Sequence, residues 1–139
     1  DAEHQVIVSA IESYCKKNPG RTKAFASLGQ ERYFSLMRYV ELMIGNSSSG
    51  ILEAPSFKLP VVNIGTRQEG RVKAYNVVDC NDDEQSIYAA IVRARSAAFR
   101  KPLATLHNPF DGGDVSAKII REIKKFLAHL VSVKKFIDR

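Results

Sequence analysis

The sequence predicts a doubly wound α/β domain, a parallel sheet with helices on both faces, and three observations predict it. Short segments of strand length, Leu42-Met43-Ile44, Pro60-Val61-Val62 and the Val77-Val78 pair after Asn76, alternate with longer stretches of helical periodicity. Gly, Pro, Asn and Asp punctuate the chain at short intervals, with no internal repeat. A turn of small residues, Gly45 to Gly50, stands between a strand and a helix, where open parallel sheets hold their ligands.

Glu3 to Lys17 carries Val6, Ile7, Ala10, Ile11 and Tyr14 on one stripe, an amphipathic helix ended by Asn18-Pro19-Gly20. Thr22 to Ala26 reads as a short strand. Gln30 to Val40 is helical through Tyr33, Phe34, Leu36, Met37 and Val40, and leads into the strand Leu42-Met43-Ile44. Ser49 to Ala54 is long enough for a short helix before Pro55, and Val61-Val62-Asn63-Ile64 is the next strand, stopped by Gly65. Asn76 to Cys80 makes a fourth. Asp82 with Gln85 reads as a capping box opening a helix from Glu84 to Ala98, with Ile87, Ile91 and Ala94 inward. Asn108 to Gly113 is a tight loop, and Asp114 caps a final helix from Val115. Four strands are few for a sheet covered on both faces, so preceding strands of the same domain are expected to lie outside this chain.

The chain has 139 residues, 45% hydrophobic and 26% charged, the composition of an ordinary globular domain, which excludes disorder, collagen and coiled coil. No apolar run approaches the roughly 18 residues of a spanning helix, so no membrane partner is expected. Cys15 and Cys80 are read as reduced thiols of a cytoplasmic protein. Asp1 opens with neither a basic nor an apolar leader and reads as an internal cut. The net charge of +6 invites a nucleic-acid reading, but seven basic residues against two acids between Lys118 and Arg139 hold five of the six excess charges. That segment also carries Ile119, Ile120, Ile123, Phe126, Leu127 and Leu130 at helical spacing, so its cations read as the wet face of a docked helix and no nucleic acid is expected.

Chemistry concentrates at Gly45-Asn46-Ser47-Ser48-Ser49-Gly50. Small residues before a helix let an anion approach free N–H groups, and serine hydroxyls add donors. Serines there also cap helices, and the loop alone leaves that alternative open. Glu53, four residues after Ser49, points from the same helix face, and its carboxylate suits hydroxyl donors such as a ribose diol. Arg67 and Arg71 follow the next strand, and arginine grips phosphate through a fork of donors. Together they outline a nucleoside diphosphate site built on neither Walker A nor GxGxxG.

The run from Gly45 through Glu53 to Pro55, followed by Pro60-Val61-Val62-Asn63-Ile64-Gly65-Thr66-Arg67-Gln68-Glu69-Gly70-Arg71, resembles the UDP-N-acetylglucosamine 2-epimerase family, nearest to its hydrolysing branch. Support extends from Ser27-Leu28-Gly29 and Tyr33 to the Asn108-Pro109-Phe110-Asp111-Gly112-Gly113 loop, which is similar to the family's Asn-Pro-Tyr-Gly-Asp-Gly turn while departing from it after Pro109. The resemblance implies a GT-B architecture of two Rossmann-like halves. Residues 1–139 would be most of the carboxyl-terminal, UDP-binding half, with residues 115–139 its basic helix and the first strands and amino-terminal domain absent.

The resemblance further implies that Ser47, Ser48 and neighbouring Ser49 bind the diphosphate, Glu53 the ribose hydroxyls and Arg67, with Arg71 beside it, the phosphates. Leu28 would contact uracil, with Tyr33 close to the base. The whole enzyme would be a homo-oligomer that eliminates UDP from UDP-N-acetylglucosamine and adds water to give N-acetylmannosamine, feeding sialic-acid and related sugar synthesis, with no cofactor and no metal. Its proton-transfer acids would come from the amino-terminal domain, so no catalytic residue is expected here, and His4, His107 and His129 read as non-catalytic. Two rivals are a GT-B glycosyltransferase half and a non-catalytic module whose basic last helix meets nucleic acid.

Overall fold

A computed structural model describes residues 2–128, with side chains from residue 5. The side chain of His4, and His129 and Leu130 entirely, lie outside the described residues. The chain divides into two compact units, residues 1–40 and 41–139.

The first unit contains α1 (Ala2–Lys17) and α2 (Gly29–Met37). Helix α1 ends at Asn18, whose backbone N–H and side-chain amide both donate to the Tyr14 carbonyl at 3.0 Å. The segment 22–26, expected as a strand, is irregular. Thr22 is drawn into the turn closing α1, donating from its N–H (3.1 Å) and Oγ1 (2.9 Å) to the Asn18 carbonyl. A run of strand-forming residues becomes a strand only where a neighbour completes its ladder, and the residues after Thr22 have none among the described residues. Helix α2 stops three residues earlier than the periodicity suggests, as Tyr39 donates back to the Leu36 carbonyl at 2.9 Å in a tightened last turn.

The second unit is α/β. Its strands β1 (Met43–Gly45), β2 (Val61–Ile64) and β3 (Val77–Cys80) form a parallel sheet in the order β1-β2-β3. Ile44 pairs with Val62 and Val62 with Val78. Successive side chains of a strand face opposite ways, and β2 is buried on both sides. Val62 joins Val78, Ala90, Ala94, Phe99 and Leu103 in the core beneath α4 (Glu84–Arg95) and α5 (Ala97–Arg100). Val61 faces α3 (Ser49–Leu52), which packs so close that a Cβ built on Gly50 would lie 2.7 Å from Val61 Cγ1. Val61 is stiff at χ1 and cannot swing aside. Gly50→Ala is therefore expected to cost about 1–3 kcal/mol by overpacking, read as a lower urea midpoint of the complete protein at unchanged slope.

At α4 the cap and the end differ from the sequence reading. The cap of α4 is Asp83, whose Oδ1 accepts from Ser86 N at 2.8 Å, so Asp82 and Gln85 make no capping box. With Asp83 extended, Ser86 and not Gln85 holds the third helical position a box requires. The helix also stops at Arg95 because Ser96 serves both sides of a break: its hydroxyl donates to the Arg93 carbonyl (2.8 Å) and accepts from Phe99 N (3.2 Å).

The last helix, α6 (Val115–Ala128), is capped as expected, Asp114 Oδ1 accepting from Ala117 N at 3.0 Å. Its apolar stripe is not docked. Ile119, Ile120, Ile123, Phe126 and Leu127 are between 51% and 68% exposed, so among the described residues no partner element covers the face that was expected inside. None of the described helices is long and apolar enough to cross a membrane.

Candidate functional site

Of the sequence-predicted site residues, Leu28 and Tyr33 lie in the first unit and the other six in the second. Leu28 sits at the cap position of α2, and with Phe25, Ser27, Gly29, Gln30 and Tyr33 lines a cavity of about 530 Å³. Half-buried Leu28 and Tyr33 thus share one recess whose wall is mostly apolar.

In the second unit β1 delivers the chain at Gly45, and the serine turn leads directly into α3. Ser47 Oγ accepts from Ser49 N at 3.3 Å, while Ser48, at the cap position, makes no side-chain cap bond. The Ser48 hydroxyl is therefore not consumed in capping the start of the helix, where the cap-type bond is the one made by Ser47. Glu53 joins α3 to the 3-10 turn Ala54–Phe57, its N–H donating to the Ser49 carbonyl at 3.1 Å. Its Oε2 is buried with no hydrogen-bond partner among the described residues. A buried carboxylate oxygen left unpaired is costly, and donors such as vicinal hydroxyls relieve that cost.

Strand β2 ends at Gly65, whose φ of +71° turns the chain as its N–H donates to the Cys80 carbonyl at 2.9 Å. Arg67 and Arg71 follow, both exposed, and neither forms an ion pair among the described residues. Between them Gln68 is 2% exposed and its Nε2 donates to the Asn46 carbonyl at 2.8 Å. This bond brings the arginine segment to the serine turn. For Arg71 no such link is present among the described residues.

The Asn108 loop closes on the same place. Asn108 Nδ2 donates to the Leu52 carbonyl (2.8 Å) and to Ser56 Oγ (2.7 Å), bracketing Glu53, while Asn108 Oδ1 accepts from Phe110 N at 2.9 Å. Asp111 Oδ1 accepts from Gly113 N at 3.1 Å, so the loop's different wording after Pro109 still makes a self-bonded turn.

The family model described as UDP-N-acetylglucosamine 2-epimerase matches residues 1–124 of this chain. The chain belongs to that family. Among relatives in the family, the chain is 40% identical to the GDP/UDP-N,N'-diacetylbacillosamine 2-epimerase (hydrolyzing) of Campylobacter jejuni, over 99% of this chain and 36% of the relative. It is 30% identical to polysialic acid biosynthesis protein P7 of Escherichia coli, over 91% of this chain and 32% of the relative. It is 29% identical to the UDP-N-acetylglucosamine 2-epimerase of Neisseria meningitidis serogroup B, over 94% of this chain and 34% of the relative. The chain thus spans about a third of the length of these relatives.

Within this member of the family, sequence reasoning missed a polar cluster at the carboxyl ends of β2 and β3. Asn63, 2% exposed, pairs in register with Asp79 and donates from Nδ2 to Asp79 Oδ1 at 2.7 Å, and Lys73 Nζ meets the same oxygen at 2.7 Å. The signal was an asparagine inside an otherwise apolar strand, which demands a buried partner. The cluster borders a cavity of about 280 Å³ lined by Gly65, Thr66, Glu69, Lys73, Asp79, Cys80 and Asn81. Both cysteines are free. Burial, then the negative charges of Asp79 and Asp83, push the Cys80 thiol above its ordinary range and keep it protonated.

Burial alone would raise the Asp79 carboxyl, but its hydrogen bonds from Lys73 and Asn63 and the Lys73 charge hold it below the usual carboxylate range. A carboxyl lowered in the folded state stabilises above its unfolded value of about 3.9, and that contribution is lost as pH falls through the folded value. With 54% of the Asp79 side chain exposed, solvent screens the pair. Asp79→Asn is expected to cost at most about 1 kcal/mol at pH 7 and nothing at pH 2, read from urea midpoints at the two pH values.

Proposed function

We propose that this chain is the UDP-binding part of a hydrolysing 2-epimerase acting on a UDP-linked 2-acetamido sugar, UDP-N-acetylglucosamine in the first instance. The observation that carries the reading is the unpartnered, buried Oε2 of Glu53 immediately after the serine turn, in a member of this family. In this reading Ser47, Ser48 and Ser49 bind the diphosphate, Arg67 and Arg71 neutralise it, and Glu53 accepts from the ribose hydroxyls. Leu28 and Tyr33 form the uracil recess.

In the first step the C1–O bond breaks with its electron pair passing to the diphosphate, and the C2 proton leaves to a base supplied by the rest of the protein. In the second, water adds across the resulting glycal to give N-acetylmannosamine. The role of this segment is to stabilise charge gathering on the departing UDP, which lowers the barrier to C1–O cleavage. The complete protein is proposed to be a cytoplasmic homo-oligomer whose amino-terminal domain supplies that base.

A second reading of the sugar, UDP-N,N'-diacetylbacillosamine, is favoured by the higher identity to the Campylobacter jejuni relative. Incubation of the complete protein with each UDP-sugar in deuterated water, without acceptor, tests both. Release of UDP with a C2-inverted sugar carrying deuterium at C2 is expected, and the faster substrate identifies the sugar. Slow release of the uninverted sugar alone would point to a glycosyltransferase and sink the proposal.

A further inference from the structure

Gln68 is an expensive residue for its place. Its neighbours Arg67 and Glu69 are exposed while it is 2% exposed, and of its two amide atoms only Nε2 is satisfied, Oε1 having no partner among the described residues. A site that needed only filling would be served better by an apolar side chain of the same length. What the amide provides is one donor to one oxygen, the Asn46 carbonyl, across 22 residues of sequence.

That oxygen belongs to the peptide group joining Asn46 to Ser47. In a planar trans peptide, as all those described here are, the carbonyl and the N–H point in opposite directions, so fixing one fixes the other. With the Asn46 oxygen held toward Gln68, the Ser47 N–H is turned away from it. Among the described residues the N–H groups of Ser47 and Ser48 have no recorded acceptor, whereas those of Ser49 and Gly50 are taken by Ser47 Oγ and the Ser47 carbonyl. A flip of this one peptide would present a carbonyl oxygen where an N–H now stands, replacing attraction for an anion by repulsion.

We propose that Gln68 is a positioning residue that locks the Asn46–Ser47 peptide so that the Ser47 N–H faces the diphosphate. The inference rests on the nucleotide reading above and adds a residue to it that touches the loop and not the ligand.

The test titrates UDP and uridine into the complete protein and into its Gln68→Met, Gln68→Glu and Arg67→Ala variants, and follows the Ser47 amide resonance. Gln68→Met, which keeps length and loses the donor, is expected to weaken UDP about 5- to 20-fold while uridine affinity is unchanged. Gln68→Glu, which sets a carboxylate against the Asn46 oxygen, is expected to weaken UDP further. The Ser47 amide is expected to shift with UDP in the unaltered protein. Equal UDP affinity in both Gln68 variants, an unmoved Ser47 amide, or parallel loss of UDP and uridine would overturn the lock. Failure of the unaltered protein to bind UDP, or indifference of UDP to Arg67→Ala, would bring down the nucleotide reading and the lock with it; Arg67-dependent binding with indifferent Gln68 variants removes the lock alone.

Discussion

Replacing Arg67 by alanine in the complete protein is expected to weaken UDP binding by about 10- to 150-fold while leaving uridine affinity unchanged. A hydrogen bond to a charged group contributes about 1.5–3 kcal/mol, and each 1.4 kcal/mol is tenfold in affinity. The guanidinium is exposed, bound to no carboxylate among the described residues, and adjacent to the residue that joins its segment to the serine turn, so no internal ion pair must break before it meets phosphate. Arg67→Lys keeps the charge and loses the planar fork, and should fall between the two. Calorimetric titration with UDP, UMP and uridine measures all three. A uniform loss for every ligand would mean that the substitution had disturbed the fold.

The largest effect on stability is expected at Phe99. Its ring is 4% exposed in the core beneath the sheet, stacks on Tyr75 at 5.2 Å between centroids, and lies under the Arg93 guanidinium at 5.9 Å. Phe99→Ala removes the ring from a site whose other walls, Val62 and Val78 on strands and Ala90 and Ala94 on α4, cannot collapse into the space. The expected cost is about 3–5 kcal/mol, a large fraction of a domain's whole stability. Because Tyr75 leaves the arginine segment just before β3, loss of its stacking partner loosens that segment too. Phe99→Leu, which refills most of the volume, is expected to recover much of the melting temperature, and scanning calorimetry of both variants decides it.

The second unit was legible because its strands combine apolar runs with strong punctuation: Val61-Val62 stopped by Gly65, and Val77-Val78 behind Asn76, can be read without knowing their neighbours. The segment 22–26 was not, because a strand is defined by its ladder and Thr22 finds a closer bond at Asn18. The placement of Glu53 one turn after Ser49 could be read because it is local, the Glu53 N–H donating to the Ser49 carbonyl. Gln68 and the Asn63–Asp79–Lys73 cluster could not, since their partners are set by strand register and turn geometry. What covers the last helix was not legible for a related reason: periodicity shows which face of α6 is apolar, and among the described residues nothing covers it.

Asn108 also orders events in time. It joins residues 56 positions apart, and closing a loop of that length costs about 3–4 kcal/mol in chain entropy, more than two side-chain hydrogen bonds return. The clasp on Leu52 and Ser56 therefore cannot nucleate anything. It closes only after β1, β2 and β3 have paired and α4 and α5 have brought the chain back, so it clasps the junction carrying Glu53 once that junction's own buried residues, Ile51 and Ala54, are in place. The clasp is a late addition to a scaffold already built.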